Sequence, residues 1–437
     1  MFTYIELKNF KSFGEIRFDF KRTVKETKKF VAVYGENGSG KSNFVSAFEF
    51  VYCSLKSLMF RGLVNMLDDS STLKDKPSIS HIESLLELMS VKFSNYRLIN
   101  CSEPTTVELG FEIDKTEGYY KIEFADTVLF EELYYLCGKN RKKVFTITPE
   151  STKISPSLFS NPYAVDFENE LKKFWGKHTF FAVLANEIIS KNNQYIENNV
   201  SKQLLDVYNT LDKICVFGIR DSRPFPHGGL RSSKYSYYGT IPLKGEMKLD
   251  KNEKILNDLI TQLYSDIKSV HYEKTFAGNN IEYLLHAQKI IAGKVRDIPF
   301  DYESTGTKGL LGVLSAVVAV MNGEAVIYDE IDSGIHDLLM QNLISSLVDA
   351  APGQLIITTH NTLLLESMDP QSAYVIYVDC DGNKEARCVA DYGERIQKTN
   401  NMRNLYIKGM YGGIPYASEI DFSCCANISE SGDDVDE

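Results

Sequence analysis

The sequence predicts an α/β fold built on a parallel sheet, together with an antiparallel β subdomain. Residues 30–55 read as a short apolar strand, a glycine-rich loop and a helix, and residues 300–380 alternate buried strands with helices. Buried strands that alternate with helices indicate a parallel sheet covered on both faces. Residues 105–148 instead contain four runs rich in β-formers between polar turns, which is typical of antiparallel strands.

Composition limits the classes of protein to consider. The 437 residues are 43% apolar, which suits roughly two to three globular domains. The net charge of −11 argues against a positive electrostatic potential over the whole surface that would attract nucleic acid. The longest apolar run, 310–321, is shorter than the roughly twenty residues that span a bilayer, so no membrane association is expected. Eight scattered cysteines and no signal-peptide pattern predict reduced thiols and a cytoplasmic location.

The chain divides by pattern into four segments. Residues 1–154 are expected to form an N-terminal lobe that holds the glycine-rich loop and the antiparallel strands. Residues 155–290 are helical in pattern and predict a helical insertion with oligomer or partner surfaces. Residues 291–426 predict a C-terminal lobe of strands and helices, and the acidic residues 427–437 predict a disordered tail.

The strongest chemical signal is the motif Gly-x4-Gly-Lys-Ser at residues 35–42. It follows an apolar strand and precedes a helix, which is the context of a phosphate-binding P-loop. Its glycines let backbone N–H groups surround phosphates, and the helix N-terminus adds a positive dipole. Lys41 supplies a charge for the phosphates, and the Ser42 hydroxyl can ligate Mg²⁺. The candidate binding residues are Gly35, Asn37, Gly38, Ser39, Gly40, Lys41, Ser42 and Asn43.

Three further motifs lie in the C-terminal lobe. An apolar strand, 325–328, ends in Asp329 and Glu330, which fits a Walker B element with Asp329 toward Mg²⁺ and Glu330 toward the attacking water. Ser304 and Gly306 stand in a small polar turn at a helix start, about 25 residues earlier, and such a turn can hold an anion. His360 ends another buried strand, 30 residues after Glu330.

These motifs, in this order, resemble the ABC-type ATPase heads of the RecF and SMC group. The opening residues 5–13 (IELKNFKSF) and Asn37 in the P-loop are typical of that group. The stretch 329–336 (DEIDSGIH) and the closing stretch 406–415 (YIKGMYGGIP) resemble a bacterial subgroup. Its members include ATPases of the PARIS and Septu anti-phage systems and the ATPase half of OLD-type nucleases.

The resemblance implies an ATP- and Mg²⁺-dependent ATPase whose sites form between protomers of at least a dimer. Glu330, His360 and Lys41 would be catalytic, with His360 sensing the γ-phosphate. Ser304 and Gly306 would act on the nucleotide of the second protomer. Departures are Glu303 and Thr305 in the signature and His336 in the D-loop, and no Q-loop glutamine is identified.

Three functions remain open at this point. The first is an anti-phage defence ATPase, a sensor or scaffold for a separate effector such as a nuclease, triggered by DNA or a phage protein. The second is a RecF-like DNA repair or DNA-end-binding ATPase, which predicts salt-dependent DNA affinity. The third is an ATP-dependent interaction module that does not hydrolyse ATP. The resemblance favours the first.

Overall fold

The computed structural model describes residues 1–68, 92–220, 223–227, 237–392 and 401–414. The predicted acidic tail, 427–437, lies outside these residues.

Within this part of the chain, the structure contains the following strands and α-helices. The strands are β1 (Phe2–Phe10), β2 (Phe13–Asp19), β3 (Lys21–Thr23), β4 (Glu26–Thr27), β5 (Phe30–Tyr34), β6 (Thr105–Ile113), β7 (Thr116–Phe124), β8 (Val128–Cys137), β9 (Asn140–Ile147), β10 (Thr152–Ile154), β11 (Ile214–Arg220), β12 (Arg223–His227), β13 (Tyr238–Pro242), β14 (Ile267–Ala277), β15 (Asn280–Ile291), β16 (Lys294–Pro299), β17 (Ala325–Tyr328), β18 (Gln354–Thr358), β19 (Ala373–Val378) and β20 (Lys384–Cys388). The helices are α1 (Lys41–Asp68), α2 (Asn161–Phe174), α3 (Phe180–Ser190), α4 (Asn193–Asn199), α5 (Lys202–Asp212), α6 (Glu246–Leu263), α7 (Thr305–Met321), α8 (Asp337–Ala350), α9 (Leu364–Ser367) and α10 (Met402–Ile407).

The central sheet has the order β12-β11-β17-β18-β5-β19-β20. Its five inner strands are parallel, and β12 and β20 are antiparallel edges. Every residue of β5 is buried, and its side chains alternate between two cores. Val31 and Val33 join the core beneath α1, whereas Phe30, Ala32 and Tyr34 join the core shared with α7 and α8. The predicted sheet covered on both faces is therefore confirmed.

A second sheet, antiparallel throughout, has the order β10-β9-β8-β7-β6-β1-β2 and packs with α1 through α5 in one core. The predicted antiparallel strands of residues 105–148 are confirmed as β6 to β9. Aromatic residues dominate the contact with α1, where Phe50 stacks on Phe124 at 4.6 Å between ring centroids. A third, smaller sheet is built from β13, β14, β15 and β16.

The secondary structure of residues 155–290 differs from the predicted helical insertion. Four helices fill 161–212, but β11 then enters the central sheet beside β17. Helix α6 then runs from Glu246 to Leu263 and is followed by the long hairpin of β14 and β15. Short apolar runs such as that of β11 fit a buried strand or a buried helix equally well by periodicity. The division into four segments stays a prediction.

Candidate functional site

The carboxyl ends of the parallel strands bring the predicted motifs to one edge of the central sheet. Thr358 of β18 is in register with Val33 of β5, and Tyr328 of β17 is in register with Ile357. The P-loop, Asp329 and His360 each follow one of these strands directly. Residues that stand 290 to 320 positions apart in the sequence therefore meet at the place where open parallel sheets bind ligands.

The P-loop is held in one conformation by contacts beneath it. Gly40 has φ of 111°, and a Cβ atom there would lie 2.7 Å from the Phe13 ring, so no other residue fits without displacement. Asn43 donates a hydrogen bond to Ser12 Oγ at 2.6 Å. This bond ties α1 to the turn between β1 and β2, and the nucleotide contact of Asn43 stays a prediction.

Lys41 begins α1 and bends back over the loop. Its Nζ donates to the carbonyl oxygens of Gly35 at 2.8 Å and Glu36 at 3.1 Å. Burial lowers the pKa of Lys41, and the carboxylates of Glu330 and Asp329 oppose that effect. A desolvated ammonium on a glycine-rich loop suits a strong interaction with phosphate.

The loop also has the hydrogen-bonding capacity that a phosphate needs. The Ser39 side chain is fully buried, and its Oγ has no hydrogen-bond partner in the part of the chain that the structure describes. Unsatisfied buried hydroxyls are rare and point to a missing ligand or water. Ser42 lies in the first turn of α1 with its side chain exposed, as a Mg²⁺ ligand beside a phosphate must be. Asn37 and Gly38 are exposed at the tip of the loop.

Thr358 connects the two acidic residues that follow β17. Its hydroxyl donates to Asp329 Oδ1 at 2.5 Å and accepts from the Glu330 backbone N–H at 2.8 Å. Glu330 has φ of 50°, a left-handed conformation that glutamate seldom adopts. The strained backbone places an exposed carboxylate at the sheet edge, and strain of this kind clusters at functional sites.

His360 lies close enough to the same charges to be affected by them. Burial and then the Lys41 ammonium lower its pKa, while Asp332 and the two Walker B carboxylates oppose this. Its backbone N–H donates to Asp332 Oδ2 at 3.3 Å. The lowered pKa favours a neutral imidazole at pH 7.

The signature turn makes different contacts. Ser304 caps α7 by accepting from the Thr307 N–H at 3.1 Å, and its side chain is exposed. Gly306 packs directly on the Gly334 carbonyl oxygen, and a Cβ atom there would clash with it. Glu303, the first departure from the usual signature, is buried and binds Lys289 Nζ through both carboxylate oxygens at 2.9 Å. These contacts join the signature to the D-loop and to β15.

Several supporting residues had no recognisable sequence signal. Lys384, at the start of β20, donates to the P-loop carbonyl of Gly38 at 3.0 Å and to Ser12 Oγ at 2.8 Å. Only the pairing of β20 with β19 brings this lysine to the loop. Thr358 and Asp332 likewise act through tertiary contacts. Asp332 lies within the stretch 329–336 that carries the resemblance, but the sequence assigns it no role.

The sequence motifs leave the Q-loop residue unassigned. The strand order directs attention to β11, the strand beside β17. β11 runs parallel to β17, with Phe217 opposite Tyr328, and the Phe217 carbonyl accepts from the Asp329 N–H at 2.8 Å. The chain that leaves β11 at Arg220 therefore departs beside Asp329. The sequence concealed this because β11 lay in a segment predicted to be helical.

The closing stretch predicted from the resemblance packs under the P-loop. Tyr406 lies against Tyr34 with ring centroids 5.6 Å apart, and its hydroxyl donates to the Gly413 carbonyl at 3.0 Å. A Cβ atom on Gly413 would lie 3.4 Å from Gly35 Cα. This stretch therefore supports the phosphate loop from below.

A P-loop at the end of β5, two acidic residues at the end of β17, which lies two strands away, and an antiparallel sheet define the class: an ATPase-type P-loop protein of mixed α/β fold. The chain belongs to the family described as "AAA domain, putative AbiEii toxin, Type IV TA system", whose model matches residues 30–366. No curated protein matches the chain.

Solved structures with similarity to this chain include three SMC heads. The SMC head domain from Thermotoga maritima is 14% identical, with TM-score 0.36 over 89% of this chain and 98% of that one. An Smc head bound to the C-terminal winged-helix domain of ScpA is 15% identical, with TM-score 0.47 over 88% and 97%. A Pyrococcus furiosus complex of the Smc head, with an extended coiled coil, and the C-terminal domain of ScpA is 14% identical, with TM-score 0.41 over 88% and 95%. No described helix is long and apolar enough to cross a membrane.

Proposed function

We propose that this protein is the ATP-hydrolysing subunit of a bacterial anti-phage defence system, in which it controls a separate effector protein. It acts in the cytoplasm as a sensor or scaffold, and DNA or a phage protein is the trigger. The observation that carries the ATPase part is the convergence of Lys41, Asp329, Glu330 and His360 at one sheet edge.

Each residue at this edge has a role that its geometry supports. The backbone of residues 35–42 and Lys41 would hold the ATP phosphates, and Ser42 and Asp329 would hold Mg²⁺. Bound Mg²⁺ supplies positive charge to the phosphoryl oxygens. Glu330, fixed through its backbone by Thr358, would orient the attacking water. A neutral His360 would hydrogen-bond the γ-phosphate.

The second half of each site would come from another protomer. Ser304 is exposed at the start of α7, and Gly306 is packed on the D-loop of its own chain. An exposed helix N-terminus suits a phosphate group that is bound to the P-loop of another protomer. ATP would therefore bind between two copies, and the nucleotide state would set the contact between them.

The defence role has two supports. The closing stretch that resembles anti-phage ATPases is packed on the P-loop, so it is part of the nucleotide site. The family description names a putative toxin of a toxin–antitoxin system, which is an assembly of more than one component. A RecF-like repair function, the alternative, predicts ATP hydrolysis that DNA stimulates and a salt-dependent affinity for DNA.

The test combines infection with capture. The Glu330→Gln variant keeps the binding residues but loses the carboxylate that orients water, so with ATP it should retain its assembled state. Purified from its native host, it should carry a stoichiometric protein that the matched Lys41→Ala variant lacks, and Lys41→Ala should abolish protection in a phage plating assay. Capture of DNA without a protein, or protection that survives Lys41→Ala, would contradict the proposal.

A further inference from the structure

We propose that the small third sheet carries a binding site for a divalent transition-metal ion such as Zn²⁺. The proposed ligands are His271 on β14, His286 on β15 and Asp297 on β16. Their ligand atoms all lie within 4.8 Å of one another. The site is separate from the nucleotide site and does not depend on the proposed function.

Strand pairing places the three ligands on one face of the sheet. His271 lies directly opposite His286, with ring centroids 5.5 Å apart. Asp297 lies opposite Gln288, two residues beyond His286, so it is a diagonal neighbour on the same face. The opposite face holds Val270 and Leu285, which are buried in the core. The cluster is therefore fixed by the register of three strands and not by flexible loops.

The hydrogen bonding of His286 leaves a position that a cation would satisfy. His286 is 8% exposed, and its Nδ1 lies 3.0 Å from Asp297 Oδ2. Its other nitrogen, Nε2, is buried and makes no hydrogen bond to the described residues, although Glu273 Oε2 stands 3.0 Å away. If neutral His286 donates from Nδ1 to Asp297, Nε2 presents a lone pair to a carboxylate, which is repulsive.

A metal ion on Nδ1 removes this conflict. The ring proton then resides on Nε2. This N–H donates a hydrogen bond to Glu273 after a small rotation of that exposed carboxylate. This is the usual arrangement in which a metal-bound histidine donates its other N–H to a carboxylate. One cation would also compensate the charges of Asp297 and Glu273. The competing arrangement is His286 paired with the same two carboxylates, with no metal.

The donor set identifies the class of ion. Two imidazole nitrogens and one carboxylate oxygen suit Zn²⁺, Fe²⁺ or Ni²⁺ better than Mg²⁺ or Ca²⁺, which prefer oxygen ligands. Ligand atoms about 2.0–2.1 Å from a tetrahedral Zn²⁺ stand about 3.3 Å apart. Asp297 Oδ2 is already 3.0 Å from His286 Nδ1, whereas His271 Nε2, 3.9 Å from Asp297 Oδ2, must move slightly closer. The His271 and Asp297 side chains are partly exposed, so they can rotate and leave a coordination position to water.

The location suggests what the ion would do. Asp297 belongs to β16, which leads within six residues to Glu303 and the signature turn. β15 already holds Glu303 through Lys289. A metal that joins β14, β15 and β16 would fasten the segment that presents Ser304.

The experiment uses the full chain without nucleotide. EDTA first removes bound metal, and the EDTA is then removed. Excess Mg²⁺ is added to saturate oxygen-rich sites. Titration with Zn²⁺ by calorimetry should give one site per chain. His271→Gln and Asp297→Asn should remove it, and Glu273→Gln should weaken it by about 10–100-fold. The matched control, Glu282→Gln, changes an exposed carboxylate on β15 outside the cluster and should bind as the unmodified chain does.

Two further readouts separate this site from adventitious binding. Co²⁺ at the site should give a visible spectrum without a thiolate charge-transfer band, because no cysteine is a ligand. Zn²⁺ should slow amide hydrogen exchange in 294–303 of the unmodified chain but not of Asp297→Asn. Absence of a Zn²⁺ site, or one that persists in both ligand variants, would overturn the proposal in favour of the ion-pair arrangement. ATPase activity is not part of the readout, so failure here leaves the proposed function untouched.

Discussion

Thr358 provides a sharp test of how the site is built, because one hydroxyl fixes both Walker B acidic residues. It donates to Asp329 and accepts from the backbone N–H of Glu330. Thr358→Val keeps the shape of the side chain and removes both bonds. The buried Thr358 position gives water little access, so the freed Glu330 N–H is left unsatisfied. We expect the free energy of unfolding to fall by about 1–3 kcal/mol.

The loss should be larger in catalysis than in nucleotide binding. Without the bond to Thr358, the left-handed backbone of Glu330 and the Asp329 carboxylate both gain freedom. If about 1.4–2.8 kcal/mol of transition-state stabilisation is lost, kcat falls about 10–100-fold. ATP affinity in EDTA should change little, whereas the Mg²⁺ concentration for half-maximal hydrolysis should rise.

A matched control exists elsewhere in the chain. Thr179 is equally buried, donates to the Ser54 carbonyl and accepts from the Ala182 N–H, far along the sequence from the site. Thr179→Val should lower stability by a similar amount and leave kcat and the Mg²⁺ dependence unchanged. Steady-state hydrolysis and chemical denaturation measure both variants. Equal kcat values for Thr358→Val and the unmodified chain would refute the reasoning.

Three other predictions concern single contacts. Gly40→Ala should weaken ATP binding by more than about tenfold, because the added methyl group displaces the Phe13 ring beneath the P-loop. Calorimetry measures the ATP affinity, and an unchanged affinity would contradict this prediction. Lys384→Met should raise the Kd for ATP several-fold without altering the fold, because the Gly38 carbonyl loses its lysine donor. Binding of a fluorescent ATP analogue measures the Kd, and an unaltered Kd would argue against this prediction. Burial raises the pKa of Glu131 to about 7, above its unfolded value. Stability from this group is then present below about pH 4.5 and lost as pH rises through about 7. Glu131→Gln should therefore reduce the fall in unfolding free energy between those pH values, and a slope equal to that of the unmodified chain would count against this assignment.

How much of the site the sequence could predict depended on how local each signal is. The P-loop and the Walker B strand are local patterns with a strand beside them, so their residues and their meeting at one sheet edge were predictable. The mixed α/β fold around the P-loop followed from the same motifs. The predicted defence role goes beyond what the family match establishes, because fold does not fix function.

The remainder depended on contacts between distant residues. Lys384 reaches the P-loop only because β20 folds back on β19. His271, His286 and Asp297 show no ligand spacing in the sequence, since their juxtaposition arises from the registers of β14, β15 and β16. Glu303 departs from the usual signature, and in the structure it binds Lys289 of β15, a tertiary contact that no local pattern shows.

The central claim is that each ATP site is completed by a second copy of the chain. A mixing experiment tests it directly, with Lys41→Ala, which lacks the P-loop charge, and Ser304→Arg, which blocks the signature. Each variant alone should be inactive. Mixed equally and allowed to exchange, half of the dimers are mixed and each has one intact site of two, so activity should recover to about a quarter of the unmodified level. A mixture that stays as inactive as its components would show that no site is shared between protomers.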